Sequence, residues 1–295
     1  MKMKSVKIII SASIFSILFS CSKNEKADGY GNFEATEITV SSEAQGELKF
    51  LEVEEGQVLE KGETIGLIDT LQLYLNKQQL LASKATVASK SGGVWSQVSV
   101  LNQQLQIAKT EQQRVQNMFD ENAATQRQLD QANSQVDVLK KQIQNVETQN
   151  APIVNEVKSI DAKIAQINDQ IEKCKIENPI NGTVLTQYAE ASEIVSFGKP
   201  LYKIANLDIM TLRVYVSEPQ LANIKIGQEV SVKIDAGKEM KEFSGRIDWI
   251  SDTAEFTPKI IQTKEERVNL VYAVKIRIKN DGSLKIGMPA EMWIR

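Results

Sequence analysis

The sequence predicts an α+β chain: a β-sandwich split in two by a long antiparallel α-helical coiled-coil hairpin, with a small antiparallel β-barrel behind it. Three observations carry that prediction. From residue 71 to about 175, apolar residues recur at alternating steps of three and four, with little glycine or proline between them. On either side of that stretch stand two glycine-bounded segments that share one pattern. From Leu207 onward the period drops to two.

The elements follow in chain order. Residues 1–20 read as an export signal: Lys2, Lys4 and Lys7, the apolar run Ile8 to Phe19, then Ser20 and Cys21. That run is shorter than the roughly 20 residues a membrane span needs. A small residue followed by cysteine is the lipoprotein-processing pattern, so Cys21 is expected to take a diacylglycerol and become the mature N-terminus. Several acyl chains on one residue anchor stably where a single chain does not. Residues 21–37 then form a linker and a first strand.

Composition excludes several functions. Loss of the three signal lysines moves the formal charge from −3 to −6, and no basic tract remains, which argues against nucleic acid as a partner. Cys174 is then the only thiol, at an apolar helical position, and is expected to be buried and inert. There is no histidine, which removes the commonest general base and metal ligand. With no nucleophile context and no phosphate-binding glycine loop, we expect neither an enzyme nor a cofactor.

Residues 38–70 and 176–207 are the two halves of the sandwich. The first contains "AQGELKFLEVEEGQVLEKGETIGLID" and the second "INGTVLTQYAEASEIVSFGKPLYKIANLD". Gly46, Val58, Gly62, Ile65 and Ile68 of the first match Gly182, Val195, Gly198, Leu201 and Ile204 of the second. Ser192 stands where the first half has Gly56, so that turn is expected to differ.

Residues 71–175 form the hairpin. The first arm runs through Val94, Val98, Leu101, Leu105, Ala108, Gln112, Val115 and Phe119, and the second from Leu129 and Ala132 through Val136, Leu139, Ile143 and Val146 to Ile171 and Cys174. Heptads sustained in this way mean coiled coil. The polar "DENAAT" between them turns the chain back, placing the tip at about 114–130, and Thr125 with Gln128 has capping-box spacing. Arms of about 50 residues give a rod of roughly 75 Å. Gly92 and Gly93 should weaken the first arm and Pro152 the second at nearly equal height, which suggests a joint. Residues 208–295 supply the barrel strands, read in "MTLRVYVSE", "GQEVSVKID", "FSGRIDWIS", "NLVYAVKIRIKN" and "PAEMWIR".

The two half-motifs resemble the split halves of a biotinyl/lipoyl-type sandwich. The rod occupies the place where carrier domains of that type hold a modified lysine, so a carrier role does not fit. Taken in order, lipid-anchored cysteine, half sandwich, hairpin, half sandwich and barrel resemble the HlyD-type periplasmic adaptors, or membrane fusion proteins, of tripartite efflux pumps. The segment "EFTPKIIQTKEERVNLVYAVKI" and the closing "GMPAE" are similar to the branch that serves ABC exporters rather than RND pumps.

The resemblance implies an inner-membrane transporter and a TolC-like outer-membrane channel as partners. It also implies a hexamer of adaptors and a periplasmic chain held to the inner membrane. It further implies that Arg114, Met118 and Thr125, spaced as in channel-engaging adaptors, form the docking tip. Glu255, Lys259, Lys264, Glu265, Glu266 and Arg267 become candidates for contacts between subunits or with the sandwich. Two other readings stand beside it: a type I protein-secretion adaptor, which would share the architecture, and a structural envelope lipoprotein that only tethers or spaces membranes, which would need neither the split sandwich nor the tip spacing.

Overall fold

The computed structural model describes residues 26–237, 239–256 and 270–294. In chain order its strands begin with β1 (Gly29–Glu34), β2 (Glu37–Ser41), β3 (Gly46–Leu51), β4 (Val58–Leu59) and β5 (Thr64–Ile68). The helices α1 (Leu71–Asp120), α2 (Gln126–Thr148) and α3 (Asn150–Lys173) follow. Then come β6 (Lys175–Glu177), β7 (Gly182–Gln187), β8 (Ile194–Val195), β9 (Pro200–Ala205), β10 (Ile209–Ser217) and the short α4 (Glu218–Leu221). The remaining strands are β11 (Glu229–Ala236), β12 (Glu239–Ile250), β13 (Glu255–Phe256), β14 (Leu270–Lys279) and β15 (Pro289–Ile294). The described residues divide into two compact units, one of residues 39–204 and one made of the described residues on either side of it.

In the first unit, two four-stranded sheets run in the orders β2-β9-β7-β4 and β6-β5-β3-β8. Each sheet takes strands from both half-motifs, so the halves interleave and neither has a complete sheet alone. The backbone bonds repeat accordingly. Gly62 N–H donates to the Asn178 carbonyl and Gly198 N–H to that of Ser42; Gly56 N–H donates to Val184 and Ser192 N–H to Leu48.

Two expectations change here. The structure places Val58 level with Ile194, and Leu59 level with Val195, so the match of Val58 to Val195 is one residue out. Val58 and Ile194 face solvent while Leu59 and Val195 are buried; a slip of one exchanges the two faces of a strand. Ser192 holds φ at +71° where Gly56 holds +88°, so both turns take the same left-handed form. A serine there accepts a conformation that glycine adopts at lower cost.

The seam of the hairpin is continuous. Every predicted seam residue from Val94 to Phe119 and from Leu129 to Cys174 is buried or half-buried. Polar rungs cross it where apolar ones are missing: Gln112 Nε2 donates to Asn133 Oδ1 at 2.7 Å, and Ser91 Oγ to Asn150 Oδ1 at 2.5 Å. Lys84 pairs with Asp161 at 2.6 Å. Such rungs fix register between helices.

The weakening expected in the first arm does not interrupt it: α1 runs unbroken through Gly92 and Gly93. Both glycines lie on the exposed face, while Ser91 and Val94 keep the seam on either side. Two helix penalties of about 1 kcal/mol each do not outweigh a fifty-residue packed helix. The second arm does break, at Gln149, ahead of Pro152, which sits in the first turn of α3 where its missing N–H breaks no helical bond. The seam steps from Val146 to Asn150 to Ile153 without losing register.

In the second unit, β10, β1, β15, β11, β12 and β14 form a barrel closed by a β14–β10 pairing, with β13 added beside β14. Five of its strands were read from the C-terminal part of the sequence; the sixth is β1. That strand fits between β10 and β15 because Gly31 has no side chain: a Cβ there would lie 1.8 Å from the Arg213 carbonyl oxygen. Phe33, Met210, Leu212, Val232, Ile276 and Met292 belong to the fully buried interior. Among the described residues no helix is long and apolar enough to cross a membrane.

Candidate functional site at the hairpin tip

The tip is built by two reciprocal caps. At its C-terminal end α1 closes in a Schellman arrangement: Ala123 N–H donates to the Met118 carbonyl at 2.7 Å and Asn122 N–H to that of Phe119 at 2.9 Å. This requires a left-handed residue, and Asn122 supplies it at φ +60°. Two residues after Ala123 the second arm starts on Thr125, whose N–H and hydroxyl both donate to Gln128 Oε1 at 2.8 Å. Gln128 N–H donates back to Thr125 Oγ1 at 3.4 Å, which completes the predicted capping box. Carbonyls at the end of one arm and the Gln128 amide of the other are thereby satisfied across a five-residue connection, residues 121–125.

This geometry sets what each candidate can offer. Arg114 projects from α1 with its side chain 65% exposed and pairs with Glu111 one turn back at 2.6 Å. An exposed pair of this kind is worth at most about 1 kcal/mol, so the guanidinium is free to exchange it for a better-placed carboxylate. Met118 is 41% exposed although its neighbour Phe119 faces the seam. The Thr125 hydroxyl is committed to its own helix and offers a partner only its spare acceptor capacity. The structure thus brings Arg114 and Met118 to one end of α1 as surface groups, and makes Thr125 chiefly the residue that shapes the turn.

Val100 and Ile107 were not singled out in the sequence. They share Arg114's position in successive heptads and leave large apolar side chains exposed along α1. The seven-residue spacing was a usable signal for them.

At the base of the rod, β5 and β6 pair side by side, with Ile68 N–H donating to the Cys174 carbonyl. Cys174 is buried there, and burial raises its thiol pKa above the usual range, as an inert thiol requires. In the barrel, Glu255 forks to Arg213 through both carboxylate oxygens at 2.9 Å. Lys259, Lys264, Glu265, Glu266, Arg267 and the predicted lipidation site Cys21 lie outside the described residues. Among the described residues no group of three or more acidic, histidine or cysteine side chains could hold a metal ion.

Comparison with known proteins adds the following. A family model described as the YknX-like beta-barrel domain matches residues 210–294. The UPF0194 membrane protein YE2891 of Yersinia enterocolitica is 30% identical over 289 residues, covering 88% of this chain and 87% of its own. The UPF0194 membrane protein of Yersinia pseudotuberculosis is 29% identical over 328 aligned residues, covering 97% of this chain and 98% of its own. Among solved structures, MacA from Actinobacillus actinomycetemcomitans superposes with a TM-score of 0.52 at 19% identity, over 90% of this chain and 76% of its own. The membrane fusion protein Spr0693 from Streptococcus pneumoniae gives 0.51 at 18%, over 90% of this chain and 97% of its own. The fold is therefore that of a membrane fusion protein.

Proposed function

The chain belongs to the UPF0194 membrane protein family, and from that membership and its fold we propose that it is the periplasmic adaptor of a tripartite export system. It links an inner-membrane transporter, an ABC exporter in preference to an RND pump, to a TolC-like outer-membrane channel. It acts as a homo-oligomer, held to the inner membrane by lipid on Cys21, and without catalysis of its own.

The observation that carries this reading is the combination of an unbroken seam along the rod with a tightly capped tip that leaves Arg114 and Met118 exposed. A coiled coil of roughly 75 Å supplies reach, and its polar rungs supply stiffness in register. A fully capped turn holds its exposed groups in one place, which lowers the ordering cost of docking. Arg114 can fork to carboxylate or carbonyl oxygens on the channel's ends, and Met118 can fill a groove between its helices.

The test is in-cell photo-crosslinking from a probe at Met118, whose side chain takes no part in the caps, with identification of what is captured. An outer-membrane channel is the expected product. Capture of neighbouring copies or cell-wall material alone would reduce the rod to a spacer and remove the docking tip.

A further inference from the structure

The outer face of the barrel gathers cations on neighbouring strands. In the register of β12 with β14, Arg246 stands directly opposite Arg277; in that of β10 with β14, Arg213 stands directly opposite Lys275. Like charges placed opposite each other across a sheet are destabilising. Arg213 pairs with Glu255, Arg277 with Asp248, and Lys275 lies over the Trp249 ring, 5.3 Å from its centroid. Arg246 lies between Arg277 on β14 and Glu229, its direct opposite on β11, and Lys279 projects on the same face of β14 as Arg277.

Arg246 and Lys279 line one groove of about 650 Å³. Arg277 lines it too, with Asp208 and Asp248 as its acidic members. The rest is apolar, including Ile209 and Ile226, which are 53% and 67% exposed. The Gly227 backbone keeps the groove open beside Arg246, since a Cβ there would come within 3.3 Å of the guanidinium.

We propose that this groove binds a small amphiphilic oxyanion, a phosphate-type head on a short apolar body. Two arginines on neighbouring strands offer converging forks for such a head. The head would replace the repulsion between Arg246 and Arg277 with two charge-assisted bonds, while Lys279 adds a third donor. The apolar body covers Ile209 and Ile226. The volume falls within the range of about 300–1,000 Å³ typical of small-ligand sites, whereas a protein partner needs a broader surface. The proposal is independent of the adaptor role, and its test does not involve the hairpin.

The experiment is calorimetric titration of the full chain, held in phosphatidylcholine nanodiscs, with hexyl phosphate. Saturable binding is expected, with inorganic phosphate about tenfold weaker and hexanol without effect. Arg246→Gln should weaken hexyl phosphate about tenfold. A merely structural arginine would leave hexyl phosphate binding unchanged. Lys279→Gln, near the end of a strand, provides a second variant with the same expected loss of affinity. Absence of saturable binding, or affinity unchanged from the parent chain in both variants, would overturn the proposal. So would equal binding of inorganic phosphate, or tighter binding of a hexaglutamate peptide. Exchange of the nanodisc lipid for phosphatidylglycerol separates the sources. Competition by that lipid assigns the head to the membrane, and undiminished binding assigns it to a soluble amphiphile; the site stands in either case.

Discussion

Asn178 shows how much one buried polar residue can hold. Its side-chain nitrogen donates to the carbonyls of Glu60 and Ile180, and its oxygen accepts from the Tyr202 hydroxyl at 2.9 Å. Burial raises the Tyr202 pKa, which keeps that hydroxyl protonated as a donor. Asn178→Ala would strand a buried hydroxyl and two carbonyls, each costing about 1–3 kcal/mol when left unmade. We expect a loss of about 3 kcal/mol by urea denaturation, and a change under 1 kcal/mol would show that water replaces the amide. Nothing in "IENPING" announces this role, because Glu60 lies 118 residues away. The same limit hid Arg246, whose importance depends on which residue the fold sets opposite it. Thr125 and Gln128 were readable because both ends of their interaction lie within one turn of sequence.

At the level of elements, what could be read from the sequence follows the range of the interaction. The seam was readable over both arms because a heptad repeats its signal many times and tolerates the polar rungs at Gln112 and Asn150. The match of Val58 to Val195 failed because strands β4 and β8 have two residues each, too few for alternation to fix a register. Gly92 and Gly93 misled in another way: composition shows the penalty but not the packing that outweighs it. Nothing lies within 4 Å of a Cβ at either glycine, so alanine fits both without contact. Gly92→Ala and Gly93→Ala should each stabilise the hairpin by about 1 kcal/mol, read as a higher melting temperature by circular dichroism. A drop in either case would mean that the glycines serve a bend absent from this conformation.

Across the whole molecule, the interleaved sandwich has a consequence for the time course of folding. Each sheet waits for strands separated by the full length of the rod, and closing a loop of about a hundred flexible residues costs roughly 4 kcal/mol in chain entropy. Helices form from local contacts, which makes the rod the fast element. Once the tip has turned, zippering of the seam carries β5 and β6 together, and the loop that the sandwich must close has all but vanished. The tip is then a nucleation site for a domain at the other end of the rod. Asn122→Val, which burdens the left-handed residue by about 1–2 kcal/mol, should slow protection of the Gly62 and Val184 amides in pulsed hydrogen exchange and leave their unfolding rate nearly unchanged. Protection of those amides ahead of the α1 and α2 amides would reverse the order. With the order as derived, the chain assembles its sandwich only after the rod has folded back on itself.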